Sequence, residues 1–181
     1  FALGAASPIV EQTATSDFCT TFQLSLELST AEQNVYTIYG HSAGSVMTFP
    51  AAFNSGLGGD FGVSPVIAPE DAYDSWLTVG DVSGDAISSL GIDTGAWSTG
   101  GLSITNGAVF WMNPANGPSG TVLIAQVTGC GTASVNAQGL SANGGADWQQ
   151  EGITFDLVCE NSEFALGAAS PIVEQTATSD F

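Results

Sequence analysis

Apolar and polar residues alternate along Phe22-Gln23-Leu24-Ser25-Leu26-Glu27-Leu28. A period of two predicts a half-buried strand with Phe22, Leu24, Leu26 and Leu28 turned to a core. Residues 35–39, aromatic and β-branched, form a second strand, and Ala31-Glu32-Gln33-Asn34 between them reads as a hairpin turn. Further strands are expected at residues 75–80, 108–112, 121–128, 132–138 and 152–159, the last with Ile153, Phe155 and Leu157 inward. Asn106-Gly107, Asn116-Gly117 and Asn143-Gly144 are turn dipeptides. No segment carries a sustained 3.6-residue apolar stripe, and only residues 86–90 suggest a helical turn. Many short strands with regular turns predict an all-β protein. The expected form is an antiparallel β-sandwich, jelly-roll or immunoglobulin-like, with an extended connector strand. Trp76, Trp97, Trp111 and Trp148 belong in its core.

A repeat changes this picture. Residues 1–18 read FALGAASPIVEQTATSDF, and residues 164–181 read the same. The copies are offset by 163 positions, the length of a whole domain and not of a solenoid turn. This predicts connector segments at 1–18 and 164–181 around a sandwich body at 19–163, in a tandem array. An engineered permutation or an added strand is the other source of such a repeat. Within the copies, Phe1, Leu3, Ile9 and Val10, repeated as Phe164, Leu166, Ile172 and Val173, are expected to dock on a neighbouring unit. Such a segment could add a strand to the neighbour's sheet, since linkers proper are polar.

Charge narrows the partners. Of 181 residues none is Lys or Arg, eighteen are Asp or Glu and one is His, for a formal net charge of −18. No side chain is suited to phosphates, so nucleic-acid binding and phosphoryl transfer are excluded, as is attraction to anionic membranes. A hydrophobic fraction of 44% excludes an acidic disordered chain. No apolar run approaches the length of a membrane span. The expected partners are copies of the chain itself, in a head-to-tail helical filament, and glycans.

Candidate chemistry is sparse. Gly40-His41-Ser42-Ala43-Gly44 matches the G-x-S-x-G elbow of hydrolases. That chemistry needs a separate histidine to take the serine proton, and the only histidine stands inside the motif. The following helix is missing too, because Pro50 stops the chain. Paired carboxylates of glycosidase type require a separation that sequence does not give. No enzyme is expected. Asp81 and Asp85, in an acidic loop, are the candidate ligands for Ca²⁺, although the spacing is not that of an EF-hand and a solvated loop is the plainer reading. No other cofactor is implied.

Cys130 and Cys159 fall at adjoining ends of the strands at 132–138 and 152–159, which makes them the first choice for a disulfide. Cys19 with Cys159, within one unit or between units, is the alternative. A disulfide implies an extracellular setting. No N-x-[ST] sequon occurs, but Thr13, Thr15 and Ser16, repeated as Thr176, Thr178 and Ser179, are candidate O-glycan acceptors.

The strings DSWLTVG (74–80), GIDTGAW (91–97), NGAVFWMNP (106–114), PSGTVLIAQVT (118–128) and DWQQEGITF (147–155) resemble repeated segments in large secreted proteins of aquatic microbial eukaryotes. The resemblance covers residues 74–155 and implies a glycosylated structural filament without catalytic residues. The expected function is thus a structural repeat unit of an extracellular fibril. A carbohydrate- or calcium-binding adhesion module is the alternative.

Overall fold

A computed structural model describes residues 5–15, 20–30, 33–42, 44–54, 61, 72–81, 83–141 and 146–159. Among these described residues, eleven strands make two antiparallel sheets packed as a sandwich. The first sheet contains β1 (Ala6–Thr15), β2 (Thr20–Leu28), β5 (Trp76–Leu77) and β9 (Thr121–Thr128), in the order β1-β2-β9-β5. The second contains β3 (Thr37–His41), β4 (Met47–Phe49), β6 (Ile87–Leu90), β7 (Leu102–Ile104), β8 (Asn106–Trp111), β10 (Gly131–Gly139) and β11 (Trp148–Leu157). Its order is β6-β8-β3-β10-β4-β7, with β11 on the other side of β10.

The alternation along β2 is realised as expected: Phe22, Leu24, Leu26 and Leu28 are buried while Glu27 is exposed. These side chains share one core with Ile38, Val109, Val135, Ile153, Phe155 and Leu157 of the facing sheet. Trp76, Trp97 and Trp148 are buried, and Trp111 packs half-buried against the core. The indole N–H groups of Trp97, Trp111 and Trp148 donate to the carbonyls of Pro50, Val79 and Asn34, so these rings carry no unmet donor into the interior.

Several local expectations are corrected. β2 and the strand at 35–39 do not form a hairpin. Both edges of β2 are taken, by β1 and β9, and β3 lies in the other sheet between β8 and β10. The chain crosses between sheets at buried Asn34, whose side chain donates to Pro114 O and accepts from Leu140 N. Residues 87–90 are an edge strand paired with β8, not a helical turn. The one described α-helical turn is Trp97–Gly100. Asn106-Gly107 lies inside β8 and not at a turn. Gly107 is required there because a Cβ would lie 2.7 Å from Gly91 O. The strand at 75–80 shrinks to Trp76–Leu77, closed by Gly80 at φ +72°. Asn143-Gly144 lies outside the described residues.

β10 and β11 form the expected antiparallel pair, Gly131 facing Leu157 at one end and Gly139 facing Trp148 at the other. Their adjoining ends carry the disulfide Cys130–Cys159, with Cα atoms 5.5 Å apart. Cys19 lies outside the described residues.

Candidate assembly edge

The first copy of the repeat is built into the sandwich. Its residues 6–15 are β1, the edge strand of the four-stranded sheet, antiparallel to β2 from Ala6↔Leu28 to Thr15↔Thr20. The register slips between Gln12 and Ala14. No strand of the described residues pairs with the outer edge of β1.

At one point a side chain stands in for that missing strand. Gln150, on β11, donates from Nε2 to Ala6 O at 2.9 Å, and its Oε1 accepts from Ala6 N at 3.0 Å. The Ala6 backbone groups therefore point away from β2. Strand alternation puts the nitrogen of Pro8 on the same outer side, so the ring costs no ladder bond, as an edge strand requires. Ala5 O accepts from Ser29 N at 2.9 Å and ties the start of the segment to the end of β2.

The side chains that the body receives are small. Ala5 and Ala6 are 7% and 4% exposed and belong to the core cluster. Ile9 is half-buried and Val10 is 37% exposed. The remainder of β1 is mostly exposed. Backbone pairing and two alanines hold the described part of this segment more than large apolar residues do. Phe1, Leu3, Phe164, Leu166, Ile172 and Val173 lie outside the described residues. Of the candidate glycan acceptors, Thr13 and Thr15 are exposed on β1, Thr13 donating to Thr21 O and Thr15 accepting from Gln12. Ser16, Thr176, Thr178 and Ser179 lie outside the described residues.

Asp81 and Asp85 do different work. Oδ1 of Asp81 accepts from the backbone and hydroxyl of Ser83, and Oδ2 accepts from Ala86 N at 2.6 Å. Burial alone would raise its pKa, but these donors and Gly84 N outweigh it and hold the carboxyl below its ordinary value. Asp81 thus organises its own loop. Asp85 is exposed, with its N–H on Ser83 Oγ. Among the described residues no three His, Cys, Asp or Glu side chains gather as a metal set.

The G-x-S-x-G segment closes β3. Gly40 is buried where a Cβ would lie 2.0 Å from Ile104 O, so this glycine serves packing. His41 stacks on Tyr39 and places Nε2 2.9 Å from Glu151 Oε1, while Ser45 Oγ donates to Glu151 Oε2 at 2.9 Å. Hydrogen bonds from His41 and then Ser45 hold the Glu151 carboxyl below its ordinary value. Here the carboxylate stands between imidazole and hydroxyl, whereas a nucleophile would need the imidazole between the other two. Ser42 is in an exposed turn.

Sequence reasoning did not find Gln150, Ala5 or Ala6. Nothing local marks a glutamine that meets a strand 144 positions away. Fold and site together define an all-β sandwich whose salient surface is a sheet edge filled by one copy of a repeated strand. No protein-family model, curated protein or solved structure matches the chain.

Proposed function

We propose that the chain is a non-enzymatic structural repeat unit of an extracellular fibril, its units joined head to tail through the repeated 18-residue segment by strand docking. One observation carries this reading: the segment that fills a sheet edge as β1 is present twice in the sequence, and the first copy already takes the place along β2. The second copy carries the same sequence as β1, so in this reading it adds to a sheet of a neighbouring unit. The Cys130–Cys159 disulfide accords with an oxidising compartment. The likeness of residues 74–155 to repeat segments of secreted proteins points the same way. With no Lys or Arg, contact between copies draws on backbone pairing and apolar burial, not on ion pairs.

Light scattering tests the reading. The full chain grows in mass as it is concentrated, whereas a chain ending at Glu163 stays at the mass of one copy. Equal mass for both at every concentration refutes it.

A further inference from the structure

The fibril reading leaves open where the second copy docks and what recognises it. We infer that residues 164–181 occupy, in a second copy of this chain, the β1 position along β2, in the same register and gripped by that copy's Gln150. This inference rests on the fibril reading and sharpens it.

The register follows from identity. Ala6 faces Leu28, Ser7 faces Glu27 and Thr15 faces Thr20. The second copy carries the same residues at Ala169, Ser170 and Thr178. Recognition has three parts. The β2 edge supplies the ladder. Gln150 takes both backbone groups of one residue, Ala6 in the first copy, so a proline there would be rejected. The burial of Ala5 and Ala6 admits only small side chains at those two positions. Pro171 falls where Pro8 does, with its nitrogen outward, so it is tolerated.

Polarity follows from the strand ends. β1 starts at the Leu28 end of the sandwich and finishes at the Thr20 end. β11 finishes opposite Gly131, and Gly129 N donates to Thr20 O, so Cys159 also leaves at the Thr20 end. The chain beyond Cys159 therefore departs from the end opposite the one where a β1 strand must begin. To fill its own body's edge, Ala169 would have to travel back along the whole sandwich. Ten extended residues reach at most about 36 Å, against about 30 Å for the strand itself, which leaves almost no slack. A second body stacked end to end presents its Leu28 end at once. The contact joins unlike ends, so it propagates and does not close. Both copies pair equally well, so concentration decides which one fills a given edge. The tethered first copy acts at an effective concentration of about millimolar, and exchange is favoured in concentrated protein.

The test mixes two full-length chains at millimolar concentration in a Cys19→Ser background, one carrying Glu27→Cys and the other Ser170→Cys, followed by oxidation and mass-spectrometric mapping. The 27–170 bond between molecules is expected at least tenfold above the out-of-register bond from Glu27→Cys to Thr178→Cys. Adding Ala6→Asp to the acceptor, which handicaps its own strand, raises the yield severalfold. Adding Ala169→Asp to the donor, an equal change in composition and charge, abolishes it. If the chain grows in mass but the 27–170 bond is no more frequent than 27–178, or if Ala169→Asp leaves it unchanged, the docking position is wrong while the fibril reading stands. If the mass never grows and the bond is absent, both fall.

Discussion

Gln150 does for Ala6 what a neighbouring strand would do, offering one donor and one acceptor in the spacing of a ladder. Each such hydrogen bond contributes about 1 kcal/mol net, so Gln150→Ala should destabilise the start of β1 by about 1–2 kcal/mol. Amide hydrogen exchange checks this: the amides of Ala6, Ser7 and Ile9 lose protection while β9 keeps it. Equal protection in both proteins would deny Gln150 its role. Two of the described carboxyls are held below their ordinary values and so contribute to the response to acid. Glu151 is held low by His41 and Ser45, and Asp81 by its loop donors against the effect of burial. A folded pKa below the unfolded one gives stability that is present above the unfolded value, 4.5 for Glu151 and 3.8 for Asp81, and lost as pH falls through the folded value. Urea midpoints should therefore fall on acidification below about pH 4.5, and less so in a Glu151→Gln, Asp81→Asn chain. An identical acid limb in that chain would contradict the assignment. Tyr36, donating to Asp147 Oδ2, is pushed up to about 12 by burial and then by that carboxylate, so it stays a donor in any ordinary buffer.

At the scale of elements, strands with full alternation were readable and short ones were not. β2, β9, β10 and β11 each bury alternate or nearly all residues, so their apolar pattern survives in the sequence. β4 and β7 are three residues long and offer no period to read, and β5, expected at 75–80, is only two residues long. The false hairpin arose because proximity in sequence stood in for pairing, whereas β1 and β9 had already claimed both edges of β2. The disulfide was readable because it follows from one local pair, β10 with β11. Removing it with Cys130→Ser and Cys159→Ser frees a loop of 29 positions, a loss of about 3–4 kcal/mol, seen as a lower denaturation midpoint. Gly40→Ala forces a Cβ onto Ile104 O and should cost about 1–3 kcal/mol or more, lowering Tm by several degrees. An unchanged Tm would show that β3 and β7 can separate freely there.

At the scale of the molecule, a charge of −18 with no basic side chain makes every copy repel every other. The Debye length falls from about 30 Å at 0.01 M salt to about 8 Å at 0.15 M, so added salt should promote assembly. Assembly held by ion pairs would respond in the opposite sense. The repeat was legible at once, but its meaning was not. Two identical strings announce a shared role, and only the pairing of the first with β2 says that the role is a strand at a sheet edge. That the strand is gripped through two alanines and a distant glutamine is a property of the assembled sandwich, beyond any local pattern.

Electron microscopy of the concentrated full-length chain at moderate salt tests the account most directly. It should show filaments one sandwich wide with an axial repeat near one body length, about 30–33 Å for ten-residue strands rising about 3.3 Å per residue. Separate single bodies at every concentration and salt would contradict it.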